Sequence, residues 1–563
     1  MTRKIVVIGG VAGGAGAAAR ARRTDEQAQI IMLEKGPYIS FANCGLPYFV
    51  GREIGDRSAL LLQTPESFRE RFHVDVRVFH EALTIDRDRK TVRIRDLQAG
   101  TEYEETYTSL ILAPGATPIR PPLPGIDREN VYTVRTVPDS DAIRAYMDEH
   151  AAGRAVVIGA GFIGLEMVEN LQKLGLTVTL IEKAAQVLPP LDPEMAAFIA
   201  ATLDQMGVEV ITNDGIAAFE GQAAGTAAAT AVRLESGRVV DGDLFILGLG
   251  VRPDTRLARA AGLTIGATGA LAVDDRMRTS DPDIYAAGDA VETVHLATGK
   301  PTWIPLAGPA NKQGRVAGAN AAGDDLRFPG ALGTAIVRVG SLVAATTGLS
   351  ERSARRDGLG VTVSYTVTGD HADYYPGAQD LLIKLVLEQA TGRLLGAQVL
   401  GGNGVDKRTD IFATAIAARM TATDLTNLDL AYAPPFGAAK DPAVVAGMVA
   451  QNIGRLQLPV ITPPALQQRL DAGEPLQIVD VRPAYEYEIG AVPGAVNIPV
   501  DEVRDRLGEL DPSAETVVYC ANGSKAYLAV RVLMQNGFRS VAGLTGGYTL
   551  WPMFASLEAA RSV

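Results

Sequence analysis

One pattern occurs twice in this chain and limits its fold more than any other feature. KIVVIGGVAGG (4–14) is an apolar, β-branched run that breaks into glycines, followed by an Ala/Arg-rich helical stretch from Ala15 to Arg23. A second apolar run, QIIMLEKG, carries Glu34 at its end. The same order returns as AVVIGAGFIGLEMVENLQKLG and then TVTLIEKA, which carries Glu182. Apolar runs of this kind, separated by a helix, read as strands buried on both faces of a parallel sheet. A strand–glycine loop–helix–strand–acid unit sets a helix N-terminus against phosphate and a carboxylate against ribose hydroxyls. Two dinucleotide sites are therefore expected.

The second unit holds a full G-x-G-x-x-G, GAGFIG (159–164). Gly159 makes the tight turn, Gly161 lets the backbone approach a pyrophosphate, and Gly164 permits close helix packing. Glu182 favours NADH, because a carboxylate repels the 2′-phosphate of NADPH; the neighbouring Lys183 weighs the other way. In GGVAGG (9–14), Val11 takes the second glycine position while Gly9, Gly14 and Glu34 keep the expected roles. YAAGDA (285–290) ends a strand in Gly288 and Asp289, where a carboxylate can meet the ribityl hydroxyls of FAD. SLILAPGATP (109–118), with Gly115, reads as a strand and a crossover between domains.

A chain of 563 residues is too long for one core and predicts three or four domains. The net charge of −12 argues against a nucleic-acid or anionic-membrane partner. Two cysteines cannot build a disulfide framework, which fits a reducing compartment. The N-terminus runs directly into a strand, without an apolar stretch for a signal peptide or membrane span. A soluble cytoplasmic protein without a metal site is expected.

Over about its first 450 residues the chain resembles the pyridine nucleotide–disulfide oxidoreductase family, on the two glycine motifs, APGATP and YAAGDA. The resemblance implies FAD in the first nucleotide site, NADH (or NADPH) in the second, and a third domain that forms a homodimer interface. The expected class is α/β, with two Rossmann-like dinucleotide-binding domains, an α+β dimerisation domain and a C-terminal α/β domain. The expected boundaries are 1–117 with 246–328 for FAD, 118–245 for NAD(P)H, 329–452 for dimerisation, a linker at 453–462, and 463–563 for the last domain.

The cysteines narrow the chemistry. Cys44 lies in SFANCGLPYF and Cys520 in VVYCANGSKA, and neither has a second cysteine nearby. A self-contained redox pair would need a cysteine at Phe49, so Cys44 must take its sulfur partner from elsewhere, and a small thiol substrate is indicated. The sequence sets Cys44 at a helix start, which is expected to lower its pKa, with a neighbouring flavin stabilising the thiolate further.

SFANCGLPY resembles the single-cysteine branch of the family: coenzyme A disulfide reductases, NADH-dependent persulfide reductases, and NADH oxidases and peroxidases. By resemblance to the coenzyme A members, Arg20, Arg23 and Arg71 are candidates for the phosphates, and Ser40, Asn43 and Asn311 for contacts near the thiol. Two tyrosines of the partner subunit reach the sulfur chemistry in those enzymes. Tyr432, in LAYAPPFGAAKDP with Lys440, matches one; Tyr374, beside Tyr375 in HADYYPGAQ, is chosen as the other. A phenol can hydrogen-bond a departing thiolate and supply a proton.

The tail, from LQIVDVRPAYEYEIGAVPGAVNIP to VAGLTGGYTLW, is similar to a single rhodanese domain. Cys520 ends a strand, and the loop 521–525 is expected to curl its N–H groups into an anion nest, with Lys525 adding positive charge. Ala491 stands where that family usually has histidine, a change read as affecting packing. Together these features predict an FAD-dependent NAD(P)H reductase of coenzyme A disulfide, coenzyme A persulfide or polysulfide, releasing coenzyme A thiol and hydrogen sulfide, with Cys520 handling sulfane sulfur. The alternatives are an NADH oxidase or peroxidase cycling through a Cys44 sulfenate, or a redox sensor or sulfur carrier.

Overall fold

The apolar runs become the centres of parallel sheets. In this computed structural model, which describes residues 2–221 and 228–553, the chain forms two units. Residue 1, residues 222–227 and residues 554–563 of the expected domains lie outside the described residues.

The first unit spans Met1–Ala185 and Gly207–Gly333. Strand β1 (Lys4–Ile8), helix α1 (Ala12–Thr24) and strand β2 (Gln29–Glu34) form the first glycine-loop unit. Their parallel sheet runs 284–286, 109–112, β1, β2, 75–78, with Ile5 opposite Ile30 on one side and Ser109 on the other. Four of the five β1 residues are buried, as a sheet covered on both faces requires. After β2 the chain makes a 3₁₀ turn, Asn43–Gly45, and two helices, α2 (Leu46–Val50) and α3 (Pro65–Phe72).

The second glycine unit comprises β3 (Arg154–Ile158), α4 (Phe162–Lys173) and β4 (Thr177–Ile181). Its parallel sheet runs 209–211, β4, β3, 244–247, 131–132. Helix α5 (Ala307–Ala321) packs on α1 so closely that a Cβ at Gly318 would lie 2.1 Å from the Ala17 carbonyl oxygen. The first helix begins at Ala12, earlier than the Ala15 expected, because the last glycines of the loop already form its first turn.

The second unit spans Gln186–Met206 and Thr334–Val563. It contains a five-stranded antiparallel sheet in the order 335–339, 342–348, 394–401, 380–388, 361–369. Lys384, in the strand Asp380–Glu388, is buried in this unit with its ammonium 2.9 Å from Asp192 and 2.8 Å from Glu351, and also contacts Glu194. The Tyr365 hydroxyl donates to Glu194 at 2.7 Å.

A separate parallel sheet in this unit runs 460–461, 540–544, β5 (Glu515–Tyr519), 477–480, 496–497. Helix α6 (Ser524–Gln535) follows β5. The stretch read as a linker, 453–462, is not a plain connector. Val460 and Ile461 pair with Gly543 and Leu544, and Ile453 and Leu458 join the apolar cluster beneath the sheet. Their apolar side chains find a sheet edge and a core to cover.

Candidate active site

The two glycine loops solve one geometric problem in the same way. Gly9 and Gly159 turn the chain at φ +99° and +102°, in the left-handed region that favours glycine. Gly14 and Gly164 then let the helices close down, since a Cβ at either would lie within 2 Å of the carbonyl oxygen of Gly9 (1.8 Å) or Gly159 (1.9 Å). The acids brace the loops. Glu34 accepts from the N–H groups of Gly10 and Gly36, both at 2.8 Å. Glu182 accepts from Ala160 and Ala184, both at 2.7 Å. Each carboxylate oxygen keeps a further lone pair for a ribose hydroxyl.

Glu34 and Gly9 line a cavity of about 360 Å³ that also takes Lys35, Pro114 and Asp254. Val11 stands as the residue before α1. A Cβ at Gly161 would meet no protein atom within 4 Å, so the face where the second motif brings its backbone forward is open. Lys183 is turned to Glu235, with 2.7 Å between the charged atoms. Asp289, in the turn Gly288–Ala290, is pushed up by burial and drawn back by Arg135, whose guanidinium lies 3.8 Å away. That guanidinium would lie 2.8 Å from a Cβ at Gly115. The cradle, the braced carboxylates and the half-buried Asp289 fit a dinucleotide with a polyol chain.

Cys44 lies at a second cavity, of about 380 Å³. Ser40, Asn43 and Cys44 meet Asn311, which is distant in sequence, against small residues of α1 and the rings of Phe68 and Phe72. Arg20 pairs with Asp324 at 3.3 Å, and its buried Nε has no hydrogen-bond partner. The Arg23 guanidinium lies 5.5 Å from the centre of the Phe72 ring. Between them, Arg22 is structural: it donates to the carbonyls of Phe72 and His73, both at 2.9 Å, tying α1 to the end of α3. Arg71 is exposed on α3, and none of Arg20, Arg23 and Arg71 lines the cavity.

The expected lowering of the Cys44 pKa is not what the protein groups produce. Solvent reaches the residue, yet burial pushes the thiol up, and the charges of Glu166 and Asp289 push it further; Arg135 and the backbone N–H of Cys44 pull the other way. The helix after Cys44 is only five residues long and starts at Leu46, so its dipole is small. Glu166 was not evident from sequence. It projects from α4, its carboxyl raised to about 7 by burial, with the Tyr48 hydroxyl at 3.3 Å lowering it and Glu169 raising it. Only the packing of α2 on α4 brings it near Cys44.

In the second unit, the hydroxyls of Tyr374 and Tyr432 meet at 3.0 Å, and both rings are exposed. Tyr375 instead sets its ring edge-on to His371, 5.7 Å between centres. Lys440 is exposed beyond Tyr432 on the same segment.

Cys520 follows β5 and is buried. The N–H groups of Gly523 and Ala526 point at its sulfur, at 3.1 and 3.4 Å. Gly523, at φ +98°, reverses the loop into α6. Asn522 stiffens the loop by accepting from the N–H and hydroxyl of Ser524 at 3.2 and 2.9 Å. Behind it, Arg482 bridges Asp480 and the carbonyl of Gly490, both at 2.6 Å, and stacks 4.1 Å from the Tyr548 ring centre. Tyr548 donates its N–H to the Cys520 carbonyl at 2.8 Å. Lys525 is exposed at the start of α6.

Residues 3–314 match the pyridine nucleotide-disulphide oxidoreductase family, 334–443 its dimerisation domain, and 462–553 the rhodanese-like domain. The chain is 34% identical over 453 residues to a coenzyme A disulfide reductase of Staphylococcus haemolyticus, covering 80% of this chain and all (100%) of that one. It is similar to the solved structure of reduced Bacillus anthracis CoADR-RHD, with a TM-score of 0.95 and 44% identity, over 100% of this chain and 99% of the other. It is also similar to an NAD-dependent persulfide reductase from A. fulgidus, with a TM-score of 0.91 and 39% identity, over 97% and 100% of the two chains. The motifs, the folds that display them and these likenesses agree: the chain belongs to the pyridine nucleotide-disulphide oxidoreductases, in the coenzyme A disulfide/persulfide reductase family with a C-terminal rhodanese domain.

Proposed function

We propose that this protein is an NADH-dependent reductase of coenzyme A persulfide and related coenzyme A disulfides and polysulfides. The observation that carries the reading is the cavity at Cys44. It gathers Ser40, Asn43 and Asn311 at the thiol, and its apolar wall includes Phe68, Phe72 and small residues of α1, the helix that also bears Arg20 and Arg23. An apolar arm ending in sulfur, attached to a phosphorylated nucleotide, suits that distribution of surface. When bound, FAD supplies the two-electron relay between the nicotinamide and Cys44.

The Cys44 thiolate attacks the inner sulfur of a coenzyme A persulfide. A Cys44–sulfur bond forms, the persulfide bond breaks, and hydrosulfide leaves. Two electrons and the accompanying protons then convert the mixed disulfide to Cys44 and coenzyme A thiol. Ser40 and Asn43 orient the sulfur end of the substrate, while Arg20, Arg23 and Arg71 meet its phosphates. Gly9, Gly14, Glu34 and Asp289 hold FAD; Gly159, Gly161, Gly164 and Glu182 hold NADH. The engagement of Lys183 with Glu235 leaves Glu182 as the dominant charge at the ribose and supports NADH over NADPH.

In a homodimer, Tyr374 and Tyr432 of the partner subunit act together on the departing thiolate. Their shared hydrogen bond supports Tyr374 rather than Tyr375 as the second phenol. Cys520 carries sulfane sulfur as a persulfide, stabilised by the donors of Gly523 and Ala526. Such a module supports a persulfide or polysulfide route over simple disulfide reduction.

The test is anaerobic NADH oxidation with sulfide detection on coenzyme A disulfide, coenzyme A persulfide and polysulfide. The proposal expects sulfide stoichiometric with NADH, no turnover in Cys44→Ser, and a selective defect on polysulfide in Cys520→Ser. NADH consumption with oxygen or peroxide alone would replace it with the oxidase reading.

A further inference from the structure

Tyr374 and Tyr432 are exposed and come from different segments, yet their hydroxyls meet at 3.0 Å. Tyr374 belongs to the excursion 371–378 between the strands Val361–Gly369 and Asp380–Glu388, and Tyr432 to the irregular stretch before the helix Pro442–Gly454. A hydrogen bond between hydroxyls in solvent exchanges readily for water and holds little by itself. The grip lies beneath. Asp370 closes the excursion at its base, its N–H donating to the Gln379 carbonyl at 2.8 Å and its carboxylate accepting from the Gln379 N–H at 2.9 Å. The Ala372 N–H donates across to the Gly437 carbonyl at 3.1 Å.

Arg408 reaches the roots of both segments from the helix Val405–Ala417. Its buried guanidinium donates from Nη2 to the Asp370 carbonyl at 2.8 Å and to Asp441 at 2.9 Å, and from Nε to the other oxygen of Asp441 at 3.2 Å. Gly404, at φ +67°, makes room for it: a Cβ there would lie 2.2 Å from Nη1. Asp441 in turn caps the helix Pro442–Gly454 by accepting from the Ala443 N–H at 2.9 Å. We propose that Arg408 is the positioning residue that sets Tyr374 against Tyr432, through the planar fork of its guanidinium rather than through its charge. The inference rests on the reading that these phenols serve the departing thiolate.

The neighbouring Lys407 separates geometry from charge. Its ammonium lies 3.1 Å from Asp441 and donates to the Phe436 carbonyl at 3.4 Å, so both partners belong to the Tyr432 segment. Removing it takes a cation from Asp441 and leaves the link between the two segments in place. Arg408→Lys does the reverse. A lysine keeps the positive charge, but a single ammonium on a flexible stem cannot reproduce the fixed two-point hold on Asp441 together with the bond to the Asp370 carbonyl.

The test uses the purified, FAD-loaded enzyme. Anaerobic turnover on coenzyme A disulfide is expected to fall about tenfold in Arg408→Lys and to stay within about twofold of wild type in Lys407→Met, with reduction of the flavin by NADH unchanged in both. Added to Tyr374→Phe, Arg408→Lys is expected to lower turnover by no more than about a further twofold, because a residue that acts through the phenol then has nothing left to position. Amide hydrogen exchange quickens in both segments, 370–379 and 432–441, in Arg408→Lys but not in Lys407→Met. Wild-type turnover in Arg408→Lys, or losses that multiply in the double variant, overturn the inference. If Arg408→Lys does not retain its flavin and fold, Asp441→Asn takes its place: the asparagine oxygen still caps Ala443, the two-point hold on the guanidinium is lost, and the same double-variant comparison decides. If Tyr374→Phe itself turns over like wild type, the role given to the phenols fails, and the exchange measurement alone upholds or overturns the hold of Arg408 on the two segments.

Discussion

Replacing Lys384 with methionine tests how the second unit holds its antiparallel sheet together. The side chain is 1% exposed, and its ammonium sits among Asp192, Glu194 and Glu351, whose carboxylates lie within 4.8 Å of one another. Methionine fills nearly the same volume but leaves three acids facing each other, two of them buried. Removing one partner of a buried ion pair costs about 3–5 kcal/mol. At roughly 2–4 °C per kcal/mol for a domain of this size, the unit should melt about 6–20 °C lower at pH 8.

The pH dependence fixes the cause. In the wild type, Lys384, Gln398 and the N–H groups of Glu351 and Arg352 favour the Asp192 carboxylate, and its pKa is lowered against the cost of burial. That contribution is present above the ordinary aspartate range and is lost as pH falls through the folded pKa. Without the lysine, crowding of like charges raises the carboxyls instead, so acid relieves the variant. Differential scanning fluorimetry of both proteins from pH 8 to pH 5 should show the deficit shrinking as pH falls. A variant that melts with wild type at pH 8, or whose deficit grows in acid, would refute the reasoning.

Two further outcomes follow from the site geometry. Glu182→Gln together with Glu235→Gln removes the charge at the second ribose and frees Lys183; kcat/KM for NADPH relative to NADH should rise on the order of ten- to a hundredfold, checked by steady-state kinetics. Tyr374→Phe breaks the shared hydroxyl contact with Tyr432 and should lower turnover by about ten- to a hundredfold, whereas Tyr375→Phe should leave it within about twofold, measured by anaerobic NADH oxidation.

What could be read in the sequence follows from how local each constraint is. The glycine loops and their acids were legible because turn, helix and carboxylate lie within one βαβ unit, and hydrogen bonds such as Gly10 to Glu34 close inside it. The Cys520 loop was legible for the same reason, since its donors lie within six residues of the sulfur. The ionisation of Cys44 was not. The local signal, a helix start, pointed to a lowered pKa, but burial by the surrounding fold pushes the thiol up, and the charges of Glu166 and Asp289, which arrive from other elements, add to it. The structural role of Arg22, which stands between Arg20 and Arg23 and donates to the carbonyls of Phe72 and His73, likewise depends on packing that the sequence does not display. The stretch 453–462 read as a connector because two paired residues, Val460 and Ile461, are too few to form a strand pattern.

The central claim is that Cys44 takes coenzyme A onto its own sulfur and gives it up when NADH is oxidised. Its most direct test is mass spectrometry of the intact protein and its Cys44 peptide, kept anaerobic, after exposure to coenzyme A disulfide and then to one equivalent of NADH. The account predicts a single coenzyme A adduct on Cys44, discharged by NADH with one coenzyme A thiol released. An adduct confined to Cys520, no adduct at all, or one that NADH leaves in place would contradict it.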